Sequence, residues 1–159
     1  MSDEGVARLA KLLQKFRIAM LTTVAEDGAL TSRPMAVQEA EFDGDLWFFA
    51  QRDSHQVAYI RRQAEVGVAL ASTDSWVSVA GTAEVVEDRD KARQLWNSGV
   101  EAWFPDGPDD PAIVLIKVHA DGAEYWDSPG SRVTTMLSYA KSKVTGRRPD
   151  VGESRTVEL

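Results

Sequence analysis

The sequence predicts one mainly β domain: a barrel of six or seven antiparallel strands with a few helices at its edges. Two observations carry this. Short apolar runs rich in β-branched residues recur along the chain, separated by tight acidic–glycine turns such as Glu26–Asp27–Gly28 and Asp43–Gly44. Glycine-rich phosphate turns are missing where a parallel nucleotide-binding sheet would need one, since "TTVAEDGAL" follows the first strand.

The elements follow in order. Residues 6–16 place Val6, Leu9, Leu12, Leu13 and Phe16 at helical spacing, behind Ser2 and Asp3 as caps. "RIAMLTTV" (17–24), "LTSRPMAVQ" (30–38) and "LWFFA" (46–50) form a three-strand meander. Ser54 caps a short helix over 54–63, with Val57 and Ile60 inward. Strands follow at 66–71 and 76–86, and Gly81 inside the second marks a bulge or a close backbone approach. One helix is expected over 88–104, stopped by "PDGPDDP" (105–111). Two more strands span 112–120 and 122–127, a last helix runs from Ser131 to about Val144, and a polar tail follows that is ordered at most in part.

Composition bounds the function. At 159 residues, 43% hydrophobic and 27% charged, the chain is an ordinary globular domain that needs no staple. The lack of cysteine excludes disulfides, thiolate metal sites and cysteine nucleophiles. A net charge of −7 argues against a nucleic-acid surface, and the cluster Lys141, Lys143, Arg147 and Arg148 reads as a solvated helix end. The N-terminus is acidic and periodic, unlike a signal peptide, and no apolar run is long enough to span a membrane.

Candidate chemistry is sparse. His55 and His119 are the two histidines; with no nucleophile elbow and no paired histidine motif, neither a catalytic triad nor a zinc site is expected, and His119 reads as a rim residue. Asp106, Asp109 and Asp110 lack the alternating spacing of a calcium loop and fit a rigid turn. Trp47, Phe48 and Phe49 are adjacent, so as a strand they face both sides of a sheet; the aromatic surplus suits packing, a flat ligand or a subunit interface. Arg33–Pro34 is the odd feature. Proline belongs on an edge strand, and an arginine there is either solvated or paired with an anion. Arg33 beside the helix that Ser54 begins would make an anion site suited to phosphate.

Taken together, "MLTTVAEDGALTSRPM", "LWFFAQRDSHQVAYIRR", "SVAGTAEVVEDRDKARQLWNSGVEAWFP", "AEYWDSP" and the tail "VTGRRPDVGES…VEL" resemble the general stress protein 26 group of the pyridoxamine 5′-phosphate oxidase-like family. The resemblance implies a six-stranded split β-barrel over residues 1–145, with a polar tail over 146–159. It implies a cytoplasmic homodimer that holds FMN in clefts at the subunit interface. The flavin-binding residues it implies are Ser32, Arg33, Pro34 and Met35 on the second strand, Phe49 and Ala50 beside the ring, Ser54, His55 and Gln56 facing the phosphate, and Trp126 from the partner chain. Two positions depart from the group: Ala50 replaces a threonine, and Gln56 replaces a lysine, with Arg52, Arg61, Arg62 or His55 available to compensate. A deazaflavin is therefore the competing ligand. The activity implied is that of an FMN-dependent oxidoreductase acting on a small molecule, with no catalytic acid or base nominated and no metal. A flavin-binding stress protein or sensor without turnover is the alternative, as is a dimer with weakened cofactor binding.

Overall fold

The structure, a computed structural model, describes residues 3–38, 40–127 and 153–158. Its elements are α1 (Asp3–Leu13), β1 (Ile18–Val24), β2 (Leu30–Ala36), β3 (Asp45–Gln51), α2 (His55–Arg62), β4 (Glu65–Ala71), β5 (Ser75–Val86), α3 (Arg89–Leu95), α4 (Ser98–Trp103), β6 (Ile113–Asp127) and β7 (Glu153–Glu158). The cap expected at Ser2 and the helix expected over 131–144 lie outside the described residues.

All seven strands form one antiparallel sheet in the order β2-β1-β4-β5-β6-β3, with β7 added to β6. The end strands β2 and β3 approach within 8 Å between Cα atoms without sharing a ladder. The barrel thus closes on itself but stays split along that seam. Six strands make the barrel path as expected, and β7 is a seventh.

Alternation decides which side chains fill the interior. Leu21, Met35, Phe48, Val68, Val77, Val79, Val118 and Ala120 meet inside, plugged by Leu9, Leu12, Leu13 and Phe16 of α1 and by Val57 and Ile60 of α2. A second core lies across β3 and β6, where Phe49, Ile113 and Leu115 pack against Ala92, Leu95 and Val100 of α3 and α4. The "WFF" run faces both sides as expected: Phe48 enters the barrel, while Trp47 and Phe49 face the helices.

Three expectations need correction. The run read as a three-strand meander is not one, because β3 pairs with β6 and not with β2. The helix read over 88–104 is two, because the Asn97 side chain accepts from the Val100 N–H and starts α4 afresh after α3 ends at Leu95. Strands 112–120 and 122–127 are one continuous β6. Asp121–Gly122 is not a turn: the register passes from Gly81↔Ala120 to Ala80↔Gly122, leaving Asp121 as the extra residue of a bulge. Gly81 is the close approach opposite it, where a Cβ would fall 2.5 Å from the His119 carbonyl oxygen. The polar tail, expected to be ordered at most in part, contributes strand β7, held along Gly122–Asp127.

The 105–111 loop is a fastened turn. Arg89 donates to the carbonyls of Pro108 and Asp110, Arg52 to that of Pro111, and Arg93 pairs with Asp109 at 2.6 Å. Arg52 also pairs with Glu87. At the other end of the barrel, Asp127 takes Arg8 of α1 and the buried Ser75 hydroxyl, tying the helix to the ends of β5 and β6.

Candidate anion site at the start of helix α2

Edge position explains the proline. β2 pairs with β1 alone, with Pro34 opposite Met20, so Pro34 interrupts no central ladder. Its neighbours alternate: Ser32 and Pro34 point outward, whereas Arg33 and Met35 share the inner side with Leu21 and Ala19.

Inward-directed Arg33 runs to the first turn of α2, where its guanidinium donates to Oε1 of Gln56. Gln56 is only 7% exposed, and its amide nitrogen is turned to Met35 Sδ at 3.5 Å. Arg33, Gln56 and Met35 therefore form one connected group spanning β2 and α2.

The start of α2 is chemically open. α3 and α4 each receive a side-chain cap, from Asp88 and Asn97, but α2 receives none. Ser54 precedes it in an extended conformation, yet its hydroxyl donates back to the Gln51 carbonyl at 2.7 Å. There is no acidic residue in the first turn. The peptide N–H groups there face outward with the positive end of the helix dipole, beside a guanidinium. That combination can hold a phosphate-class anion.

Other predicted residues divide. His55 is exposed and packs on Tyr59, with ring centroids 6.1 Å apart. Phe49 is buried edge-on against Trp96 at 5.5 Å, and Ala50 is buried in the barrel core. Neither side chain reaches the surface of the single chain; what this segment offers is the free backbone edge of β3, facing β2 across the split. Trp126 stands on β6, with β1, β4 and β5 between it and β2. In ladder order it stands four strands from Arg33. Trp126 does lie on the outer face, in line with Trp76 and Ala71, and that is the face to which Ser32 and Pro34 belong.

Two of the cations expected to compensate for Gln56 are spent elsewhere: Arg52 on Glu87 and Pro111, and Arg62 on the Glu26 carbonyl. The pairing of Arg33 with Gln56 was not legible in sequence, because the two are 23 residues apart. A separate cleft of about 930 Å³ opens at the split between the end of α1, the β2–β3 link and α4, bordered by the exposed Trp103. It contains none of the predicted site residues, and the buried Gln38 in its wall is already engaged, accepting from Asn97 at 3.1 Å and donating to the Ala36 carbonyl at 3.2 Å. No described helix is long and apolar enough to cross a membrane.

Comparison with known proteins gives the family and agrees with the fold. The profile of the family described as pyridoxamine 5′-phosphate oxidase like matches residues 4–150. The chain is 29% identical to protein bli-3 of Neurospora crassa over 98% of its own length and 80% of that protein's. Its fold is similar to that of a general stress protein 26 from Jannaschia sp. CCS1, with a TM-score of 0.77 and 22% identity over 99% of this chain and 100% of that one. A protein named general stress FMN/FAD binding protein, from Xanthomonas citri, gives a TM-score of 0.70 and 30% identity over 82% of this chain and 93% of that one.

Proposed function

Because this chain belongs to the pyridoxamine 5′-phosphate oxidase-like family, we propose that the open start of α2, with Arg33 beside it, takes the phosphate of FMN, and that the protein is a cytoplasmic flavin-dependent oxidoreductase acting on a small molecule. The observation that carries this is the uncapped first turn of α2 with a guanidinium inside hydrogen-bond reach of it. The donor set fits a phosphate and needs no metal. When bound, the isoalloxazine would supply the hydride and electron chemistry; the chain's part is to bind, orient and exclude water. Arg33 and the peptide N–H groups of α2 hold the phosphate. The β2 segment around Pro34 borders the ring.

A second copy of the chain completes the site in this reading. Ile18, Met20 and Leu30 are exposed, and the register sets Met20 beside Pro34 and Ala69, and Ile18 beside Ala36. This apolar outer face, continuous with Ala71, Trp76 and Trp126, has the character of a homodimer interface. Packing two such faces together brings Trp126 of one copy toward Ser32 and Pro34 of the other.

Titration of the purified protein with FMN, FAD, riboflavin and a deazaflavin, followed by quenching of ligand fluorescence, tests the binding. FMN is expected to bind more tightly than riboflavin; equal affinity for both would remove the phosphate site. Bleaching of the bound flavin by a reduced nicotinamide, followed by reoxidation in air, is expected of the enzyme. A bound flavin that no reductant bleaches would leave a binding protein without turnover.

A further inference from the structure

We infer that Gln56 is a positioning residue for Arg33 and not itself a phosphate ligand, so that discrimination between phosphorylated and unphosphorylated flavin depends on an amide that never touches the phosphate. The inference rests on the flavin reading above and deepens it. Both polar atoms of the Gln56 side chain are already engaged within the chain: Oε1 accepts from the Arg33 guanidinium, and Nε2 points at Met35 Sδ. The side chain is buried, so turning it outward would strip the amide of both partners. An arginine on an edge strand is otherwise free to sweep through solvent, losing side-chain entropy whenever it binds. Anchoring one arm of the fork to Gln56 removes part of that cost in advance and leaves the remaining N–H groups for an anion. The amide suits this task because it is a neutral acceptor. A carboxylate in its place would cancel the charge that the phosphate needs, and an ammonium would repel the guanidinium.

The experiment uses the full chain, with FMN and riboflavin as the probes. Gln56→Leu keeps the bulk and removes the acceptor; Gln56→Glu keeps the acceptor and adds a charge. Each is expected to lower FMN affinity by about tenfold or more while leaving riboflavin affinity within about twofold, since only the phosphate arm is lost. Equal loss of both ligands would mean that Gln56 merely supports the fold, and would overturn the inference. In the double variant Arg33→Ala/Gln56→Leu, FMN affinity should be no lower than in Arg33→Ala alone, because the glutamine acts only through the arginine. Additive losses would show that Gln56 binds the phosphate directly. A readout independent of flavin separates this from failure of the cofactor reading. In ligand-free protein, the ¹⁵N heteronuclear NOE of Arg33 Nε–Hε should be strongly positive, and it should fall toward zero in Gln56→Leu. An unchanged NOE would overturn the inference, whereas wild-type protein that takes up neither FMN nor riboflavin would overturn the flavin assignment and leave the NOE to decide the role of Gln56.

Discussion

Arg33 hydrogen-bonds into the open turn of α2, so the phosphate affinity should be concentrated in it. A charge-assisted hydrogen bond is worth about 1.5–3 kcal/mol, so Arg33→Ala should weaken FMN by about ten- to a hundredfold. Riboflavin should be unaffected, while the melting temperature should fall modestly, because Oε1 of the buried Gln56 loses its donor. FMN titration of Arg33→Ala beside wild type is the check, and unchanged FMN affinity would mean that the arginine is misassigned. Gln56→Lys is a sharper case. Without ligand, it sets an ammonium against the guanidinium in a buried position, and the melting temperature should fall. With FMN, a phosphate between the two cations offsets their repulsion, so part of the lost stability should return in proportion to ligand concentration. A scan with and without FMN measures both; a melting temperature unmoved without FMN, or no recovery with it, would refute the arrangement. At this scale, sequence conveyed residue types and little of their engagement. Arg33–Pro34 stood out as an anomaly, but whether the arginine was solvated or paired depended on a glutamine 23 positions away.

At the scale of elements, local patterns were legible where burial alternates and illegible where one side chain overrides them. The strands β1, β4 and β5 follow from period-two burial, and Gly81 follows from its place in such a strand. The break between α3 and α4 escaped the periodicity because apolar spacing runs through it; its signal was the Asn97–Ser98–Gly99 sequence, a cap followed by a poor helix interior. Asp121–Gly122 has turn chemistry but serves as a bulge, and β7 was hidden by its polarity. Two predictions belong here. Gly81→Val drives a Cβ into the His119 carbonyl, a backbone atom that cannot rotate away, and should cost about 1–3 kcal/mol, read by urea denaturation. A stable Gly81→Val protein would show that the bulge is not the tight crossing it is drawn as. Arg89→Ala releases the carbonyls of Pro108 and Asp110 and should cost about 1 kcal/mol, with faster proteolysis within 105–111. Calcium should not restore it; protection of the loop by calcium would return the three aspartates to the status of an ion site.

The whole molecule is where a single chain stops short of a site. The split barrel carries the open turn of α2 beside Arg33 and an outward-facing tryptophan on β6, and Ile18, Met20 and Leu30 are exposed on its surface. Two copies related by a two-fold axis resolve both features at once, since each copy would then give Arg33 to one site and Trp126 to the other. This sharing makes a prediction that no single-chain site can meet. Arg33→Ala and Trp126→Ala homodimers should both bind FMN weakly, because each carries one lesion in each of its sites. In a heterodimer formed by mixing the two variants, both lesions fall in one site and the other is built wholly from intact residues. Co-expression with two different affinity tags isolates the heterodimer, and fluorescence titration should find one wild-type-affinity site per dimer. If the sites lay within single chains, every site in the mixture would still hold one lesion, and no tight binding would reappear. Met20→Lys supplies the complementary arm. It puts a charge in the middle of the outer face without touching the core, and it should shift the protein to monomers in analytical ultracentrifugation and lower FMN affinity at least tenfold, about the loss of one such contact. Monomers that keep full FMN affinity would place the whole site on one chain and leave Trp126 without a role in it.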